Sequence, residues 1–154
     1  MLRNLTILLV CVVVTACATS PRASENTRIE VEQASDRFWA ERDRADAAGF
    51  AAQFTEEGML MISGLADAEG REAIRELMQK RFASTRITDF KVLRREIDVA
   101  GDAVWELGWF SEIVRSDNPM RMSGRYLIVW KRGGDDVWRA HRYVYSYSGA
   151  KPVA

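Results

Sequence analysis

The order of hydrophobic patterns along the chain predicts an α+β domain, helices first and sheet after. Two observations carry this. Between Ile29 and Phe82 the apolar residues recur mostly at helical spacing, whereas after Thr88 they alternate over four long runs separated by turn-forming clusters. Segregated helices and strands, rather than strand–helix alternation, define the α+β class.

The first helix is expected from Ile29 to about Ala45, a stretch free of Gly and Pro. Val31, Ala34, Phe38 and Ala45 fall on one stripe, and Trp39 lies beside it. Asp46 is placed to cap a second, shorter helix carrying Phe50, Ala51 and Phe54. Gly58 ends it, Met59 to Ile62 reads as a short strand, and Ser63 to Gly70 as a loop. A third helix starts near Arg71, with Ile74, Leu77, Met78 and Phe82 on its buried face. Four strands follow: Phe90 to Val99, Ala103 to Arg115, Arg121 to Arg132 and Val137 to Tyr147. Ala100-Gly101-Asp102, Ser116-Asp117-Asn118-Pro119 and Gly133-Gly134-Asp135 form the turns.

Ahead of the domain, Arg3 and the apolar run Leu5 to Val14 have the form of a secretory signal, too short to span a bilayer. The tetrad Val14-Thr15-Ala16-Cys17 resembles the lipobox of bacterial lipoproteins. That resemblance implies a signal over residues 1–16, lipidation of Cys17, and a lipidated tether over 17–27. Ala18, where an aspartate would favour inner-membrane retention, points to the outer membrane, with the domain facing the periplasm. A signal cut near Ala16 or Ala18 beside a chance cysteine is the alternative. Cys11 would leave with the signal and Cys17 would carry lipid, so no thiol remains for a disulfide. Lysine plus arginine number 22, and aspartate plus glutamate 22. This balance argues against nucleic acid as a partner, and against membrane binding other than through the lipid anchor.

Within the domain, Phe54-Thr55-Glu56-Glu57-Gly58, Gly70-Arg71-Glu72-Ala73-Ile74, Ala100-Gly101-Asp102-Ala103, Gly124-Arg125-Tyr126 with Val129-Trp130, and Trp138 resemble, in order and spacing, the SnoaL-like group. That group sits with ketosteroid isomerase in the nuclear-transport-factor-two superfamily. The resemblance covers residues 28–148 and leaves 149–154 as a tail. It implies a curved antiparallel sheet, a cone-shaped cystatin-like roll, whose concave face is covered by three N-terminal helices around a pocket. Such a fold hosts several chemistries and also domains with none. Carried onto this chain by spacing, the isomerase tyrosine falls at Phe38, the base at or beside Ile62, and the oxyanion aspartate near Leu127 or Ile128. None ionises, so steroid-isomerase chemistry is not expected. Catalytic residues remain unassigned. An acid–base pair drawn from Asp43, Glu57, Asp67 or Glu69 with Tyr126 would serve an isomerase, lyase or hydrolase.

Counting a four-residue turn that pairs Arg115 with Met120 puts Trp105, Leu107, Trp109 and Ile113 on one face with Met122, Tyr126, Ile128 and Trp130. A three-residue turn adds Trp138, Ala140, Arg142 and Val144. This nearly apolar face is assigned to the concave side. Arg142, opposite Tyr126, is then an inward guanidinium. It either anchors an anionic group of a ligand, or pairs with a helix acid such as Asp43, or reaches the rim. Trp39 and Trp109 are assigned to the pocket with Arg142 and Tyr126. The expected function is binding of a small, mostly apolar molecule. His141, the single histidine, faces away. With one histidine there is no usual zinc set, and the Gly64–Gly70 loop lacks a P-loop lysine, so no cofactor or metal is expected. The outer face carries Phe110, Leu127, Val129, Tyr143 and Tyr145 among Glu106, Glu112 and Arg125. A homodimer is expected there, centred on Tyr143 and Tyr145.

Overall fold

A computed structural model of the chain describes residues 21–101 and 103–153. The signal segment and Cys17 lie outside them. Helix α1 runs Pro21–Asp43, α2 Ala47–Ala52 and α3 Gly70–Ser84. Six strands, β1 Phe54–Ile62, β2 Ala68–Glu69, β3 Arg86–Ala100, β4 Ala103–Arg115, β5 Met120–Arg132 and β6 Trp138–Pro152, form one sheet in the order β2-β1-β6-β5-β4-β3. The sheet is curved and unclosed, and the α+β class holds.

Helix α1 begins eight residues before Ile29, so most of the segment read as tether is helical. Arg28 pairs with Glu25 at 2.9 Å and Glu32 at 2.7 Å, the i,i+3 and i,i+4 contacts that support the second and third turns of the helix. The buried stripe is Val31, Ala34, Ser35, Phe38, Trp39 and Arg42. Ala45, with φ 55°, stops the helix, and Asp46 caps α2 by accepting from the Ala48 and Gly49 amides. Phe38 is the hub of the core. Its ring lies 4.7–5.9 Å from those of Trp39, Phe50, Phe54, Trp130 and Tyr143.

Phe54 opens β1 rather than closing α2. The strand carries an irregularity between Phe54 and Met59, and Gly58 there packs so tightly that a Cβ would stand 2.8 Å from that of Phe54. β1 pairs with β6 in parallel, the one departure from an antiparallel sheet. Parallel neighbours need a long connection, and α3 with the β3–β5 meander supplies it. β6 runs on to Pro152, which pairs with Met120, so the expected tail is largely strand.

Two register effects overturn the face assignment. Val114, not Arg115, pairs with Met120, which turns Val104, Glu106, Gly108, Phe110 and Glu112 inward and Trp105, Leu107 and Trp109 outward. In β6, Trp130 pairs with Ala140 but Val129 pairs with Arg142, so His141 is an extra, bulged residue. Beyond it Tyr143, Tyr145 and Tyr147 face inward, and Arg142 and Val144 face outward. The dimer face centred on Tyr143 and Tyr145 therefore does not exist; both tyrosines are core residues, at 3% and 6% exposure.

Candidate functional site

Two polar clusters stand on the concave side. Both hold a glutamate with no exposed surface. Near the middle of β4, Glu106 accepts from Tyr126 Oη at 2.6 Å, Ser35 Oγ at 2.9 Å and Trp130 Nε1 at 3.1 Å. Arg95 Nε lies 3.7 Å away, and Trp39 Nε1 donates to Ser35 Oγ at 3.1 Å. Burial raises the Glu106 carboxyl above its usual range, and its hydrogen bonds oppose that shift. Burial together with the adjacent Glu106 charge pushes the Tyr126 hydroxyl well above its ordinary value. The ring of Tyr126 occupies the space over Gly108, where a Cβ would sit 2.0 Å from it.

The second cluster is set by the last turn of α1. Arg42 Nη2 donates to Glu112 Oε2 in a buried ion pair, and Tyr147 Oη donates to Glu112 Oε1 at 2.5 Å. The Arg42 guanidinium lies 4.1 Å over the Phe90 ring. Burial works against its charge, but Glu112 and the nearby tyrosine oxygens outweigh burial. Glu112 fills one corner of the fork, at Nη2.

Arg42 borders a funnel. Its outer chamber, about 550 Å³, opens between the end of α1, the end of α3 and the start of β3, and is lined by Arg42, Asp43, Ala45, Phe82 and residues 85–90. Its inner chamber is almost closed, about 10 Å³, between Arg42, Phe50, Met78, Arg81, Tyr143 and Tyr145. Arg42, Phe82 and Ile87 border both. At the rim, burial raises the Asp43 carboxyl and Arg42 opposes the shift. Among the described residues no group of three or more His, Cys, Asp and Glu is placed to hold a metal.

Of the four residues assigned to the pocket, Tyr126 and Trp39 are interior, but they belong to the Glu106 cluster rather than to the funnel lining. Trp39 backs the funnel by stacking on Phe90 at 4.8 Å. Arg142 and Trp109 sit on the convex face. Arg142 Nη1 donates to the carbonyls of Glu57 at 3.1 Å and His141 at 2.7 Å, not to Asp43. Trp109 lies under Arg94 at 4.9 Å. His141 is half-buried, its Nδ1 3.0 Å from Thr55 Oγ1. Sequence reasoning missed Arg42, Glu106 and Glu112. Only Arg42 had a local signal, standing four residues after Phe38 on the buried stripe.

A curved sheet wrapped on helices, with a funnel at its open end, is the cystatin-like architecture of the NTF2-like proteins. The chain belongs to the SnoaL-like domain family, whose model matches residues 24–144. No curated protein sequence matches it. Among solved structures it is similar to a ketosteroid isomerase-like protein from Erwinia carotovora atroseptica, at 17% identity and TM-score 0.69, covering 79% of this chain and 95% of that one. An NTF2-like protein with a cystatin-like fold from Novosphingobium aromaticivorans gives 19% and 0.68, covering 80% and 82%. ActVI-ORFA from Streptomyces coelicolor gives 21% and 0.68, covering 80% and 98%. At these identities the likeness establishes the fold alone. The positions that carry the steroid-isomerase groups by spacing are Phe38, Ile62 and Ile128, all buried and none ionisable, or the outward Leu127.

Proposed function

We propose that the domain binds a small, mostly apolar molecule in the funnel above Arg42. One observation carries this reading: a cavity of about 550 Å³ lined by the buried Arg42 guanidinium, which Glu112 holds in place. Ligand sites typically occupy about 300–1,000 Å³ and combine apolar walls with a few fixed polar groups. Phe82, Ile87 and Phe90 supply the walls, and Glu112 with Tyr147 fixes the polar group. The test is native mass spectrometry of protein purified from its own envelope. A retained small molecule, lost on Phe82→Trp, supports the reading. An empty protein, or a mass unaffected by Phe82→Trp, contradicts it.

Export and lipid anchoring at the outer membrane, facing the periplasm, are part of the proposal. Val14-Thr15-Ala16-Cys17 is its support, and no described helix is long and apolar enough to cross a membrane. Arg42 stands near the far end of α1 from Pro21, about 30 Å at 1.5 Å per residue. An anchor at Cys17 would then leave the funnel reachable from the aqueous side. Cys17→Ser should move the protein out of the membrane fraction and abolish fatty-acid labelling. A membrane-bound mutant, with no label on the wild type, removes the lipoprotein reading.

A second reading, acid–base catalysis, is favoured by Asp43, whose raised carboxyl borders the same funnel. Asp43→Asn would then stop conversion of the retained molecule without releasing it.

A further inference from the structure

The seam between β1 and β6 holds a separate arrangement. Phe54 pairs with Ala140 and Met59 with Arg142, so Thr55 to Gly58 of β1 run opposite the single bulged residue His141. The strands part there and leave a dent of about 220 Å³, lined by Thr55, Glu56, Glu57, Lys131, Arg132 and His141. None of these residues borders the funnel. Bulges re-aim side chains and recur beside functional sites. Here they leave Thr55 Oγ1 3.0 Å from His141 Nδ1. The walls are fixed by bonds of their own. Arg71 Nε donates to the Phe54 carbonyl at 2.7 Å, and its guanidinium pairs with Glu56 at 2.7 Å. Arg142 Nη1 bridges the carbonyls of Glu57 and His141. Glu30 and Asp136 hold Arg132, which leaves Lys131 as the dent's cation without an ion pair among the described residues. Burial lowers the His141 imidazole below its usual value, helped by Arg142 on β6 and Lys131 on β5 and opposed by Glu57 on β1. The ring is therefore neutral at neutral pH. With its proton on Nε2, Nδ1 accepts from the Thr55 hydroxyl. A hydroxyl held on a neutral imidazole is the pairing that activates an oxygen nucleophile.

We propose that Thr55 and His141 form a reactive site that hydrolyses small activated esters through an acyl-threonine. The Thr55 oxygen bonds to the ester carbonyl carbon as its proton passes to His141 Nδ1. Lys131 supplies positive charge for the carbonyl oxygen as it becomes negative. The bond from that carbon to the leaving oxygen then breaks, and the leaving oxygen takes the proton from His141. Water completes the cycle: it gives a proton to His141, attacks the acyl carbon, and releases the acid as Thr55 regains its proton. The small volume of the dent suits a short acyl group rather than a long chain.

The probe is p-nitrophenyl acetate on the full chain. Released p-nitrophenolate is followed across pH, and acid-quenched protein is digested for mass spectrometry. The expected result is an acetyl group on the Thr55 peptide, with turnover rising to a plateau as His141 loses its proton, half-maximal below the ordinary histidine value. Thr55→Val keeps the shape of the side chain and should abolish both signals, whereas Thr55→Ser should retain them. His141→Gln should slow acetylation about a hundredfold, the low end of what a positioned base supplies. Acetyl groups confined to lysines, or equal turnover in wild type and Thr55→Val, overturn the proposal. So does a rate unchanged by His141→Gln. If Thr55→Val does not fold, the position of the acetyl group in the wild type and the His141→Gln rate decide. The binding reading of the funnel stands or falls separately, because the two sites share no residue.

Discussion

Removing Arg42 and removing Glu112 are not equivalent to removing both. Arg42→Leu leaves a carboxylate buried with only Tyr147 to donate to it. Breaking a buried pair in this way typically costs about 3–5 kcal/mol, whereas an apolar replacement of the whole pair is often near neutral. The expected outcome in urea unfolding is a large loss for Arg42→Leu and substantial recovery in Arg42→Leu with Glu112→Leu. A single mutant as stable as wild type would show that the pair is not buried as described. Glu106 makes a different prediction. Its carboxyl is raised in the folded state, so the native protein holds its proton to higher pH than the unfolded chain does. Its contribution to stability is greatest below the ordinary carboxylate range and declines as pH rises through that range to the raised value. Glu106→Gln should flatten that decline, which begins in the ordinary carboxylate range and runs upward from it. The amide can donate to Tyr126 and Ser35 while its oxygen accepts from Trp130, so the network survives. A pH profile of urea midpoints that is unchanged in the mutant would exclude Glu106 as its source.

At the scale of elements, faces are decided by turns and bulges of one residue. Gly108 is an example: on the correct register it is the space into which Tyr126 lays its ring. Gly108→Ala should therefore destabilise by about 1–3 kcal/mol through overpacking, read as a lower denaturation midpoint. Were Gly108 on the convex face, the same change would be close to neutral. The sequence carried α1, α3 and the four long strands because their periodicities run over ten residues or more, and the six-residue α2 through its Asp46 cap. It did not carry the β4–β5 pairing, since Arg115 and Val114 are equally plausible closing residues, and one step exchanges every side chain. Nor did it carry the bulge at His141, which has no glycine or other local mark. Tyr126, Ile128 and Trp130 were placed correctly because the expected β5 face was right, while Trp109, Glu106 and Glu112 inherited the β4–β5 slip and Arg142 the His141 bulge. Of the residues assigned to the pocket, only Tyr126 and Trp39 were thus legible as interior, and Arg42, at the next stripe position after Trp39, carried a local signal that went unread.

For the whole molecule, the corrected registers bring a different set of apolar residues to the convex face. Leu107, Leu127 and Val144 form one row across the convex face, and Trp105, Val129 and Arg142 the next. Trp105, Leu127 and Val144 are 44%, 38% and 38% exposed. A contiguous apolar patch with arginines beside it has the composition of an interface. The proposed homodimer uses this patch, and sedimentation of the domain over a range of concentrations should show it dissociating on Trp105→Glu with Leu127→Glu. A wild-type monomer up to high micromolar protein would contradict the dimer.

The funnel itself is tested most directly by NMR of the labelled domain titrated with a panel of small apolar acids, amides and alcohols. Binding at the funnel predicts shifts in Arg42 Nε–H, Phe82 and Ile87, with Trp105 and Trp109 of the convex face unmoved. Perturbation centred on the convex face, or no perturbation of the funnel residues by any member of the panel, would contradict a ligand site above Arg42.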